Sequence, residues 1–302
     1  MSQLVFVLVP GLHLLDLAGP AQVFSTANDF GYAYRTGYVA ETPEVITAQG
    51  LPVRADVGWP PLGVDDLVVV PGWRSPRLIA RPLAPATAQR LADHHAAGGT
   101  VASVCAGAAA LGQAGLLDGR RCTTHHDLQD ELALRFPRAR VVRDVLYVED
   151  GRVVTSAGIA SGVDLALHLV AVRHGPSLAA RVAREMVVYT RRNGDEQQVS
   201  VMLRHRSHLD DVVHRVQDVI DAGFTAPLLL ARLAADAGVS ERTLTRSFTA
   251  ATGTTPLRYQ QELRLEAAER LIHHGTTVEA AARAVGFADA RMLRRLRSRG
   301  VR

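Results

Sequence analysis

The sequence predicts two folded units: an α/β domain whose mostly parallel sheet is covered by helices on both faces, then an all-α domain with two helix-turn-helix motifs. Three observations carry this. From residue 4 to about 190, apolar runs alternate with segments of helical periodicity. Runs such as LVFVLV and DLVVVPG are apolar on both faces, as strands buried between two helical layers must be. After the polar, charged stretch RRNGDEQQVSVMLRHRS, every remaining segment reads as helix.

Taken in order, Leu4 to Val9, Tyr38 to Ala40, Val45 to Ala48, Leu67 to Val70, Val101 to Val104 and Val153 to Ser156 are expected strands, several of them followed by Gly or Pro. Between and after them, Ala86 to Ala97, Ala106 to Leu117, Leu128 to Phe136, Val163 to Val172 and Leu178 to Tyr189 have helical spacing. Residues 1–190 are thus the α/β domain, 191–208 a linker and 209–302 the helical domain. In the last, Leu209 to Ala222 alternates apolar and charged positions, and Pro227 starts a short helix ending at Gly238. Ser240 offers an N-cap for Glu241 to Ala251, and Pro256 opens a long helix, Leu257 to His273. Val278 to Val285 and Ala290 to Arg299 complete the set.

At 302 residues and 47% apolar content the chain can bury two cores. No apolar run approaches the ~20 residues that span a bilayer. MSQLVFVLVPG has no basic residue before its apolar run, so it reads as a buried strand and not a secretion signal. The expectation is a cytoplasmic protein with no membrane partner. The two cysteines, Cys105 and Cys122, cannot make a disulfide framework and have no metal-ligand spacing, which leaves thiol chemistry or simple burial; no metal and no cofactor are expected. All 34 basic residues are arginine, which codon bias explains and which also suits phosphate and guanine recognition. The net charge of +4 is modest, but Arg291 to Arg302 holds six arginines and no acid.

The helical domain contains a weak internal repeat: LAADAGVSERTLTR from Leu233 and AAARAVGFADARMLRR from Ala280. Each has small residues, a glycine turn and a short helix, as two closely crossing helices require. In the first copy Ala234 and Gly238 permit the crossing, and Leu244 and Phe248 face the core. Arg242, Thr243, Thr245 and Arg246 are left to reach base edges or phosphates in a major groove. The bland alternative is a helical bundle with a solvated arginine face. The joining helix is seventeen residues, roughly 25 Å, long enough to hold two reading helices near the ~34 Å repeat of successive major grooves.

The stretch LARLAADAGVSERTLTRSFTAATGTTPLRYQQELRLEAAERLI, followed by AARAVGFAD, resembles the AraC/XylS-type DNA-binding domain over most of Leu228 to Leu296. That resemblance implies double-stranded promoter DNA as partner. It assigns base contact to Arg242, Thr245 and Arg246 in the first motif and to Arg291, Arg294 and Arg295 in the second. The second motif departs from the pattern: it ends RMLRRLRSRGVR, without the core aromatic and the final short helix, so the domain reads as shortened at its C-terminus.

In the α/β domain, SVCAGA reads as a nucleophile elbow, a sharp strand-to-helix turn that lifts Cys105 to the carboxyl edge of the sheet. Ala106 and Gly107 keep bulk away, and the amides opening the helix are expected to lower the thiol pKa. The alternative is a buried, inert cysteine. GLHLLDLAGPAQVF places Asp16 in a loop after the first strand, near the elbow, as a general acid/base or as a simple cap. His125, in CTTHHDL, ends another short strand and could pair with the thiol or be polar surface.

LVPGLHLLDLAGPAQVF, VVVPGW, VASVCAGAAALGQAGLLDGRRCTTHH and VVTSAGIASGVDLALHLV resemble the ThiJ/PfpI superfamily, class I glutamine amidotransferase-like, across nearly all of residues 4 to 190. A flavodoxin-like parallel-sheet sandwich is implied, with Cys105 as elbow cysteine, Asp16 as acidic partner and His125 as the usual histidine. The whole chain resembles the GlxA-like regulators that join such a domain to an AraC-type tail. In the isonitrile hydratases a threonine usually follows the cysteine, and here Ala106 stands there.

The expected function is a sequence-specific transcription regulator, not an enzyme, whose α/β domain binds a small-molecule effector or mediates homodimerisation, the latter by resemblance only. The alternatives are an isonitrile hydratase-like or other cysteine-dependent enzyme, and a redox sensor working through Cys105.

Overall fold

The computed structural model describes residues 2–74, 82–189, 192–273 and 275–299. The chain forms two compact units, Met1–Gln198 and Val199–Arg302. Residues 190 and 191, at the expected start of the linker, and 300–302, the end of the arginine run, lie outside the described residues.

The first unit runs β1 (Ser2–Val7), α1 (Leu14–Asp29), β2 (Tyr34–Val39), β3 (Glu44–Ile46), β4 (Pro52–Arg54), β5 (Leu67–Val70), α2 (Pro85–Ala96) and β6 (Thr100–Val104). It continues with α3 (Ala108–Gln113), β7 (Arg121–Cys122), α4 (Gln129–Arg135), β8 (Arg140–Val141), β9 (Tyr147–Asp150), β10 (Val153–Ser156), α5 (Ser161–His174) and α6 (Pro176–Glu185). The main sheet has the order β2-β1-β5-β6-β10-β9. Every pairing is parallel except the edge hairpin β9–β10. The LVVV of β5 and the VVTS of β10 are buried throughout, which is why these runs do not alternate.

Helix α1 is where the structure departs most from the sequence reading, which leaves Asp16 in a loop. Pro20 lies inside the helix although proline interrupts the helical ladder, and Gly19, Pro20, Val23 and Phe24 are buried. The packing supplies the reason. A Cβ on Gly19 would come within 3.1 Å of Val163 Cγ2, and one on Gly162 within 3.3 Å of Pro20 Cγ, so α1 and α5 meet through their smallest positions. Burial of that seam outweighs the one intrahelical bond that proline removes.

The second unit comprises α7 (Val201–Arg204), α8 (Asp211–Ala222), α9 (Leu230–Asp236), α10 (Glu241–Thr252), α11 (Pro256–His273), α12 (Val278–Ala284) and α13 (Ala290–Arg299). Part of the expected linker belongs to it, since Val201 is buried in the core with Val213, Phe248 and Tyr259. A second cluster gathers Ala268, Ala281, Val285, Phe287 and Leu293 around α12 and α13. Phe287, in the turn, supplies the aromatic that α13 itself lacks.

Candidate functional site

Four neighbouring strands, β1, β5, β6 and β10, deliver one residue or turn each to their carboxyl ends. Cys105 follows β6 directly and has φ +55°, a left-handed conformation rare outside glycine. A single 3-10 turn, Cys105–Gly107, then leads into α3. Gly107 is required here because a Cβ would lie 2.1 Å from the carbonyl oxygen of Val70, at the end of β5. The turn is the expected elbow.

The elbow is enclosed by glycines that the sequence reading did not single out. A Cβ on Gly72 would stand 2.6 Å from Cys105 Cβ and 2.5 Å from Asp16 Oδ2; one on Gly158 would stand 2.3 Å from Cys105 Cβ. Their signal was present only as the PGW and SAGIASG phrases. Thr124 Oγ1 donates to the Cys105 carbonyl at 2.7 Å, fixing the turn from a third side.

Asp16 sits in the first turn of α1 and is fully buried. The Ile159 amide, itself in a residue with φ +48°, donates to Oδ1 at 2.6 Å. Oδ2 lies toward the Gly72 amide but makes no hydrogen bond of standard geometry. Burial pushes the carboxyl up to about 6, against the pull of the Ile159 and Gly72 amides. The structure thus brings Cys105 and Asp16 together.

The thiol does not behave as the elbow alone suggests. Cys105 is buried, and burial, then the Asp16 carboxylate, push its pKa up to about 12, while the Ala106 amide pulls it down. The expectation that helix-opening amides lower the pKa is therefore corrected: desolvation and a neighbouring negative charge outweigh them. Ala106 is fully buried and offers the sulfur only its amide.

His125 caps the short turn His126–Leu128, its Nδ1 accepting from the Asp127 amide at 3.4 Å. Its ring lies against His126 with centroids 4.2 Å apart. Burial, then His126, lower its pKa. Among the described residues no hydrogen bond joins it to the Cys105 thiol. His125, His126 and Asp127 do bring three ligand atoms within 4.8 Å, enough for a cation, but both Nδ1 atoms already face Asp127.

In the second unit Ser240 accepts from the Thr243 amide at 3.2 Å and starts α10, while Leu244 and Phe248 turn into the core. Thr243 also bonds Ser240 Oγ, 2.9 Å, so it serves the cap. The outer face of α10 presents Arg242, Thr245, Arg246 and, one turn further, Thr249 along one open groove. Among the described residues no carboxylate pairs with Arg242 or Arg246. The arginines of α13 differ: Arg294 pairs with Glu279, and Arg291 with Asp289 at 3.4 Å. Arg295 reaches Met292 Sδ, 3.0 Å.

A cysteine elbow on a parallel sheet, and a separate unit with two helix-turn-helix motifs, define a two-part chain. Comparison with known proteins places it: the DJ-1/PfpI family model matches residues 2–172, and a helix-turn-helix domain model residues 233–299. The chain belongs to the DJ-1/PfpI family and carries an AraC-type helix-turn-helix domain. It is 30% identical over 270 residues to the HTH-type transcriptional regulator CdhR of Pseudomonas aeruginosa, spanning 88% of this chain and 79% of that one. Isonitrile hydratase of Pseudomonas putida is 33% identical over 172 residues, 55% of this chain and 70% of the hydratase. The crystal structure of a ThiJ/PfpI family protein from Pseudomonas syringae matches with a TM-score of 0.55 at 27% identity, covering 63% of this chain and 76% of that one. No helix among the described residues is long and apolar enough to cross a membrane.

Proposed function

We propose that the protein is a DNA-binding transcription regulator of the cytoplasm that reads a promoter chiefly through Arg242, Thr245 and Arg246 of α10. The carrying observation is the contrast between the two reading helices. Arginines free of carboxylates can offer their full fork to guanine or phosphate, whereas on α13 Arg291 and Arg294 each share an exposed acid and, among the described residues, only Arg295 of the three pairs with none. In this reading α13, with Arg291, Arg294 and Arg295, adds phosphate contacts and little base readout. The CdhR relationship, which runs through both units, supports the same assignment.

The α/β unit is the effector-responsive part, and it also forms the homodimer that pairs two reading units on one promoter. Cys105 is kept there as part of a packed turn and not as a catalyst. A thiol pushed up to about 12 supplies almost no thiolate at neutral pH, and Ala106 brings no hydroxyl. Titrating a labelled promoter fragment with protein tests the reading: Arg246→Ala should weaken binding about tenfold or more. Equal affinity of wild type and variant would contradict it.

A second reading, a cysteine-dependent hydratase, is favoured by the strained φ of Cys105 and the buried Asp16 with its raised pKa. It requires turnover of an isonitrile that disappears in Cys105→Ala.

A further inference from the structure

The α/β unit has a cavity, separate from the elbow, with a volume of about 620 Å³. It opens at the carboxyl ends of β1 and β2, where Val9 and Pro10 prolong one strand and Ala40 the other, and Trp59 and the first turns of α2 close it. None of Asp16, Gly72, Cys105 and Ile159 lines it. Its size falls in the range of metabolite sites, and its position at strand ends is where open parallel sheets bind ligands.

Two opposite charges stand at its mouth, and they are not equivalent. Glu41 Oε1 accepts from the Ala84 amide at 2.5 Å and from Thr87 Oγ1 at 3.5 Å, so it caps the start of α2 and its charge meets the helix dipole. Arg90 lies six residues past Ala84, roughly 9 Å along the helix. Its guanidinium carbon lies over the Trp59 ring, 5.7 Å from the centroid. A cation–π contact uses the charge and none of the five N–H donors, which stay available. Among the described residues, Arg90 pairs with no carboxylate.

We propose that this cavity is an effector site for a small monocarboxylate: the acid is held by the edge of Arg90, and the apolar body lies against Trp59, Val9, Pro10 and Val39. A neutral analogue would keep the apolar contacts and lose the charge-assisted pair. Binding itself stands independently of the DNA-binding reading; only its consequence for promoter affinity rests on that reading.

Trp59 is one of two tryptophans, the other being the buried Trp73 next to the elbow's Gly72, so a fluorescence change that disappears in Trp59→Phe reports on the cavity. The full-length protein, without DNA, is titrated with phenylacetate, 3-phenylpropionate and 4-methylvalerate, each beside its own amide. At least one acid is expected to give a saturable change near about 1 mM, at least about tenfold tighter than its amide. Arg90→Gln should bring the acid to the level of the amide with an unchanged circular dichroism spectrum. Calorimetry of Trp59→Phe should show weaker binding. The proposal is overturned by no saturable change with any acid, by equal affinity of acid and amide, or by preference retained in Arg90→Gln. Because the assay contains no DNA, failure of promoter binding leaves its outcome intact.

Discussion

Arg264 donates from Nη1 to the carbonyl of Gly286 at 2.8 Å. The same guanidinium reaches the carbonyls of Phe224 (2.7 Å), Thr225 (3.2 Å) and Ala226 (2.7 Å). From the middle of α11 it therefore ties the segment entering the first helix-turn-helix to the glycine turn of the second. Gly286 has φ +86°, and a Cβ there would sit 2.0 Å from the Thr225 carbonyl, so the turn closes onto that segment. Arg264 thus adds a polar tie to the apolar cluster that holds the second motif on α11.

Arg264→Leu removes four carbonyl contacts and should destabilise the helical unit by about 2–4 kcal/mol. Arg264→Lys should recover little, because an ammonium cannot span four acceptors in a fork. Calorimetric unfolding of the full chain checks this, read on the transition absent from the α/β unit. Unchanged unfolding in Arg264→Leu would show that water replaces the guanidinium without loss.

The two thiols should be slow to react in the folded protein. Cys105 is pushed up to about 12 and Cys122 to about 11, burial being the first cause of both. A chromogenic disulfide reagent at pH 8 should label them over hours when native and within minutes once unfolded. Rapid stoichiometric labelling of native Cys105 would restore the catalytic and redox-sensor readings.

Asp16 should give the α/β unit an uncommon pH dependence. Its carboxyl rises from an ordinary 3.8 to about 6 on folding, so between these values the folded chain holds a proton that the unfolded chain has released. Stability from this group is thus greatest below about pH 4 and falls as pH rises through 6, by about 3 kcal/mol. Asp16→Asn, which keeps an acceptor for the Ile159 amide, should flatten that slope in unfolding measured between pH 4.5 and 7.5. An unchanged slope would assign the dependence to other groups.

How far these residues could be read beforehand follows from the physics of each. The elbow was legible because backbone crowding demands small side chains next to Cys105 in the chain itself. Gly72 and Gly158 were not, since only the strand order β1-β5-β6-β10 brings them to the sulfur. The sign of the thiol shift needed burial and the Asp16 distance, neither of which is written in CAG. Helix α1 was missed because its glycine and proline serve a helix seam, where local propensity misleads. In the second unit the motif spacing located α9 to α13 closely. Thr243 bonds the Ser240 cap, a role the spacing left open, for a residue three past a serine cap can serve either the cap or the outer face. Arg264 was not singled out, its carbonyl partners being fixed only by tertiary packing.

The claim that α10 reads DNA is tested most directly by fluorescence anisotropy on a fragment covering the gene's own upstream region, over a range of salt concentrations. The account predicts salt-sensitive binding, with the slope of log affinity against log salt close to the number of phosphates neutralised. It further predicts that Arg246→Ala loses about 1–3 kcal/mol and relaxes sequence preference, whereas Arg294→Ala weakens all sequences alike. Salt-independent binding, or a variant series in which Arg294 sets the sequence preference and Arg246 does not, would contradict it.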